Sequence, residues 1–173
     1  MFWEFFRFDW KLQSRQPLLW IGALFFGFMA FIAVGSDAVT VGGSVGNVHR
    51  NAPVVIAQFM AVFTVLAMFL IAVFMAGSLL RDHEMGTADL FFATPMRKGD
   101  YLFGRFFAGL SASLLIFVVL AAAMMLGTLM PWVDPKQLGE FTLAPYLWSF
   151  VVFVIPNLLF IGALLCFLAA TTR

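Results

Sequence analysis

Charge is what this chain of 173 residues has least of: ten Lys and Arg and nine Asp and Glu, 11% of the whole. A typical soluble domain carries about 25%. Apolar residues take up the difference at 63%, with 23 Phe among them. A soluble fold of this length leaves much of its surface in water and has no place for so much apolar side chain. The composition is that of an integral membrane protein. A net charge of +1 gives no reason to expect a nucleic-acid partner. The single cysteine, Cys166, excludes an internal disulfide and reads as a small core residue. Histidine is nearly absent too. "HEMGT", His83 to Thr87, opens like the zinc motif H-E-x-x-H, but Thr87 stands where the second ligand is needed and the other histidine, His49, is expected across the membrane. No metal site follows. The glycine-rich "GGSVG" of the segment from Gly35 to Asn51 is no phosphate loop, because no Gly-Lys dipeptide occurs in the chain. No catalytic motif remains.

What is present is a set of long charge-free intervals. A span needs about 20 apolar residues to cross a core of about 30 Å. Four spans follow, near 17–34, 54–80, 102–130 and 145–170, the third charge-free only after Arg105, within a transmembrane domain over 17–173. The fold class expected is all-α, a polytopic membrane protein. A cleaved signal peptide is the alternative for the first interval; its apolar run is longer than a signal core, and an aromatic, partly acidic segment precedes it. Lys and Arg divide unevenly between alternate sides. Arg7, Lys11, Arg15, Arg81, Arg97, Lys98, Arg105 and Arg173 fall on one, and only Arg50 and Lys136 on the other. The richer side, with the N-terminus, is therefore expected in the cytoplasm. Trp132, Tyr146 and Trp148 are expected to ring the outer interface, and Trp10, Trp20 and Tyr101 the inner one. The spans hold uncharged polar groups such as Gln58, Thr64 and Ser113 but no buried charge, which argues against a proton relay or an intramembrane enzyme. Pro156-Asn157 in the fourth span is either a packing kink or a functional hinge on the substrate pathway.

Residues 1–16 read as an amphipathic helix lying in the membrane interface. Glu4, Arg7, Lys11, Ser14 and Arg15 share one arc, and Phe2, Phe5, Phe6, Phe8, Trp10 and Leu12 take the rest. Asp9 points into the apolar side, where the sequence supplies no reason for it. A plain anchor is the simpler reading of this helix.

Between the second and third spans lies a charged island, "RDHEMGTADLFFATPMRKGDYLFGR", with Arg81, Asp82, Glu84, Asp89, Arg97, Lys98, Asp100 and Arg105. Gly86-Thr87 can start a short helix with Thr87 as N-cap and Asp89 at the positive end of its dipole. Pro95 stops that helix, and Asp100 can cap the next, which runs on as the third span. The pair Phe91-Phe92 then forms either a docking surface or a contact with the inner leaflet.

The order of residues in the island resembles the first cytoplasmic loop of type 2 ABC-transporter permeases, the exporter-type membrane subunits. The matching positions are Asp82, Glu84, Gly86-Thr87, Asp89, Phe91-Phe92, Thr94-Pro95, Arg97-Lys98 and Gly104-Arg105. Asp stands for the commoner Glu at two places, and Phe for Leu in the apolar pair. Residues 1–16 also resemble that family's elbow helix. The resemblance implies that loop 81–101 holds a coupling helix, so that Asp82, Glu84, Gly86, Thr87, Asp89, Phe91, Phe92, Pro95, Arg97 and Lys98 meet an ATP-binding cassette subunit. It implies ATP and Mg on that partner, none in this chain, and a second permease subunit as a homo- or heterodimer. The setting implied is the lipid bilayer of a bacterial cytoplasmic (inner) membrane. Such permeases normally have six spans, so this chain resembles the N-terminal part of a longer product. "FRFDW", "GNVHRNAP", "TADLFFATP" and "MPWVDP" further resemble bacterial permeases fused to a C-terminal zinc aminopeptidase-like domain. A reading from another class remains, a four-span scaffold whose island recruits a cytoplasmic partner without transport.

Overall fold

A computed structural model of the chain describes residues 2–35, 49, 51–84, 86, 98–131, 133 and 138–171. Among them there is no strand. The helices are α1 (Phe2–Ser14), α2 (Pro17–Gly35), α3 (Pro53–Leu66), α4 (Met68–Glu84), α5 (Lys98–Thr128), α6 (Ala144–Ser149) and α7 (Ile155–Thr171), with a π-helical turn, Phe150–Val154, between the last two. Among the described residues three stretches are long and apolar enough to cross a membrane: Pro17–Gly35, Gly99–Thr128 and Ala144–Leu168. A fourth results if α3 and α4 count as one span. The protein is an all-α polytopic membrane protein.

The second interval, expected as one span, is not one continuous helix. α3 and α4 meet at 51°. Ala67, between them, has ψ −6° in place of the helical value. No Pro or Gly lies there; the Thr64 hydroxyl donates to the Met60 carbonyl at 2.6 Å. Such a back-bond perturbs a helix only slightly, and Ser111 and Ser113 make the same bond within the unbroken α5, so it does not account for the break. In the fourth interval the irregularity precedes Pro156. That residue has no N–H, and its ring would strike the carbonyl of Val152 in an α-helix. The wider turn over Phe150–Val154 accommodates it, the Ile155 N–H reaching the Phe150 carbonyl.

The described chain divides into two compact units. One comprises Met1–Leu19, Met68–Leu114 and Leu158–Arg173; the other, Trp20–Ala67 and Leu115–Asn157.

In the second unit α2 and α5 pack through glycines. A Cβ on Gly27 would lie 3.3 Å from Val119, and one on Gly127 would lie 3.1 Å from the Phe31 carbonyl. Position advances along both helices together, so they run parallel, as first and third spans must when another returns between them. Here too Asn51 is buried. Its Nδ2 donates to the carbonyls of Gly139 and Glu140 at 2.8 and 3.2 Å, and the Gly139 N–H donates to its Oδ1 at 2.7 Å. One amide thus ties the lead-in to α3 to the segment before α6.

The aromatic belt needs correction. Trp148 and Trp20 are exposed, as lipid-facing anchors should be, but Tyr146 and Tyr101 are buried. Tyr146 packs against Phe141, and Tyr101 against Phe5. Trp132 lies outside the described residues.

In the first unit α4 and α5 are antiparallel, Ser78 facing Arg105 and Met75 facing Gly109. A Cβ on Gly109 would meet the Met75 sulfur at 2.9 Å, and one on Gly162 of α7 would collide with the Met75 methyl. Small residues let backbones approach in this way where lipid offers no hydrophobic drive between helices.

Candidate functional site

α1 is amphipathic, and its apolar side does not simply face lipid. At about 100° per residue, Phe2, Phe5, Phe6, Asp9 and Gln13 form one face, and this face packs on the protein. Phe2 meets Phe107 edge-on with ring centroids 6.1 Å apart, and Phe5 meets Tyr101 at 5.6 Å. Between them sits Gly104 of α5, where an added Cβ would lie 2.8 Å from the Phe5 Cβ and 3.1 Å from the Phe2 carbonyl. The helices touch nearly backbone to backbone. Gly104→Ala is therefore expected to push α1 off α5 at a cost of about 1–3 kcal/mol, seen as a lower apparent Tm in detergent. An unchanged Tm would show that this contact contributes nothing.

Next to that glycine is Arg105, 2% exposed, and opposite it Asp9, 1% exposed. The Arg105 Nε lies 3.6 Å from the Asp9 Oδ2. The Arg105 Nη1 donates to the Ser78 carbonyl at 3.0 Å, and the Ser78 hydroxyl donates to the Arg105 carbonyl at 2.8 Å. That hydroxyl is also 3.5 Å from the Asp9 carboxylate. The guanidinium lies over the Tyr101 ring, 4.7 Å from its centroid. One buried cluster thus joins α1, α4 and α5.

The expectation of spans without buried charge fails at Arg105. α5 begins at Lys98, earlier than a helix capped by Asp100, so Arg105 lies about two turns inside it and within the membrane-length stretch. A lone cation there would be very costly; the Asp9 carboxylate and the bond to the Ser78 carbonyl make it tolerable. Asp9 in turn loses its anomaly. It sits on the apolar arc because that arc faces Arg105.

One turn beyond Asp9, Gln13 is buried and neither atom of its amide is hydrogen-bonded. A desolvated amide costs about 1–3 kcal/mol. Gln13→Leu is accordingly expected to raise the apparent Tm; a fall would mean that the amide has a use in the working protein.

The island rests on this cluster. Ser78 is about two turns before the end of α4, and Arg105 about two turns after the start of α5. Their reciprocal hydrogen bonds clamp the two stems together. Of the sequence-derived positions, Gly86 is described, exposed and at φ +66°. It stands just past the end of α4, in the left-handed conformation with which helices commonly terminate at glycine. Gly86 therefore ends the incoming helix. Gly86→Ala is expected to cost about 1 kcal/mol with no steric part, since a Cβ there meets nothing within 4 Å. Gly86→Asn should cost less, and equal Tm losses for the two would contradict the conformational cause. The backbones of Asp82, Glu84 and Lys98 belong to α4 and α5, and their side chains lie outside the described residues. Thr87, Asp89, Phe91, Phe92, Pro95 and Arg97 lie outside them altogether. Pro156, exposed, and Asn157, half-buried, follow the π turn. Among the described residues no group of His, Cys, Asp or Glu is placed to hold a metal ion.

Sequence reasoning missed Asp9 and Ser78. The signal for Asp9 was its violation of the helix pattern, which calls for a partner cation; Ser78 gave none.

The family model described as ABC-2 family transporter protein matches residues 5–173. The chain belongs to this family. No curated protein and no solved structure matches it. Membership makes the chain a permease component of an ABC transporter, a multi-pass membrane transport protein whose family associates with an ATP-binding cassette subunit.

Proposed function

We propose that this permease works in export, and that its loop 81–101 receives the motion of the ATP-binding subunit and passes it to the spans. The observation that carries the reading is the clamp at the base of the loop. Ser78 and Arg105 hold the two stems to each other, and Asp9 holds both to α1. A push on a loop with loose stems would be dissipated in the loop; a push on clamped stems moves α1, α4 and α5 together. The residues that would meet the partner are Asp82, Glu84, Gly86, Thr87, Asp89, Phe91, Phe92, Pro95, Arg97 and Lys98. ATP and Mg would bind the partner, a second permease subunit would complete the pathway, and the N-terminus would lie in the cytoplasm of a bacterium whose inner membrane holds the complex. Pro156 and Asn157, at the π turn, are the positions in the fourth span best able to absorb a change in helix geometry. Cysteines placed at Ala88 and Ala93 test the docking. Crosslinking of both to the ATP-binding subunit in native membranes supports it. No crosslink at either position, with the complex intact, would remove the loop from this role.

A further inference from the structure

The outer face of α1 has a use that the clamp does not explain. Asp9 and Gln13 mark the buried side of this helix. Turning by about 100° per residue, Glu4, Arg7, Lys11 and Arg15 fall within about 80° of one another, centred opposite that side. All four are exposed. Among the described residues Arg105 has an ion pair, whereas Arg7, Lys11 and Arg15 have none. The two flanks of the stripe are also exposed and apolar: Trp3, 61% exposed, on one, and Phe8, 61%, with Leu12 on the other.

The depth of this stripe follows from what α1 touches. Its C-terminal end is joined through Arg15 and Gln16 to Pro17, the first residue of a membrane-length helix. Its other half lies on Tyr101, Gly104 and Phe107 of α5, where the charges of α5 end at Arg105. Both halves are therefore at the boundary between polar and apolar membrane, and the helix lies along it. With its buried face on the bundle, the face directly opposite points sideways, away from the protein, into the layer of lipid headgroups. Apolar flanks on such a helix reach the acyl chains while its cations stay among phosphates.

We propose that Arg7, Lys11 and Arg15 form a binding surface for the headgroups of anionic phospholipids. The one carboxylate in the stripe, Glu4, leaves it with a net charge of +2. Charge complementarity selects the occupant: an anionic headgroup such as phosphatidylglycerol has an uncompensated phosphate, whereas phosphatidylcholine carries its own cation. Spacings of four residues set successive cations about 6 Å apart, so adjacent side chains can share a phosphate.

The test reconstitutes the full chain in phosphatidylcholine bilayers with trace spin-labelled phosphatidylglycerol or phosphatidylcholine. Selectivity is read from the motionally restricted lipid. The intact protein is expected to prefer phosphatidylglycerol by about threefold or more, less so as salt is raised. The preference should approach unity in the variant Arg7→Gln/Lys11→Gln/Arg15→Gln, persist in Arg7→Lys/Arg15→Lys, and rise in Glu4→Gln. A triple variant with undiminished preference would overturn the proposal. Should that variant not fold, a salt-independent preference in the intact protein overturns it equally. Loss of the preference on adding millimolar inorganic phosphate at constant ionic strength would make the stripe a free-anion site, and the lipid proposal would then be wrong.

Discussion

Replacing Arg105 with Met is expected to cost about 3–5 kcal/mol of stability, because it leaves the Asp9 carboxylate desolvated without the guanidinium. Few substitutions in this chain should cost more. Both side chains are essentially inaccessible, and the arginine also holds the Ser78 carbonyl and covers Tyr101. Asp9→Leu is expected to cost a similar amount for the mirror reason. The double variant Asp9→Leu/Arg105→Met buries no charge and should recover most of the loss. A double variant as unstable as the sum of the singles would show that the two residues do not act as a unit. Stability and coupling should then part. The double variant has apolar packing where the directional link to Ser78 was, so it is expected to insert and assemble while transport per ATP falls. Full transport with recovered stability would confine the clamp to a structural role.

The second large effect concerns the loop itself. Glu84→Ala and Phe92→Ala are expected to leave membrane insertion intact and lower transport per ATP hydrolysed by about tenfold or more, as loss of a buried interface anchor of about 2 kcal/mol would. Glu84 belongs to the last turn of α4; Phe92 is named by the sequence motif alone. The measurement is substrate-stimulated ATPase activity beside uptake into inverted vesicles. Coupling unchanged in both variants would remove the loop from the proposed pathway while leaving family membership untouched. Comparison with the Arg105 variants separates two failures. Loop variants should keep wild-type Tm, whereas the single clamp variants should lose it.

Much of the architecture was legible in the sequence because the membrane imposes it. A chain with so little charge must fold its backbone polar groups into helices wherever it meets lipid, and apolar interval lengths then locate the spans. Local irregularities were legible only in part. Pro156 announces a disturbance because it lacks a donor, although the form taken, a π turn just upstream, depends on how the neighbouring carbonyls are satisfied. The bend at Ala67 has no such marker. Neither Pro nor Gly lies beside it, and the Thr64 back-bond has counterparts in the unbroken α5.

Composition and interval length determined by themselves that this is an all-α membrane protein, since both depend only on local chemistry and spacing; the order of residues in the island resembled the ABC-2 family, which the family match then showed. Which charges are paired was decided by tertiary structure. Asp9 and Arg105 are far apart in the chain, and each looks ordinary or misplaced alone; only the approach of α1 to α5 over Gly104 puts the carboxylate beside the guanidinium. Burial then changes what each residue means. The arginine that the sequence counts among cytoplasmic charges is the centre of a clamp, because removal from water makes a charge depend on its partner.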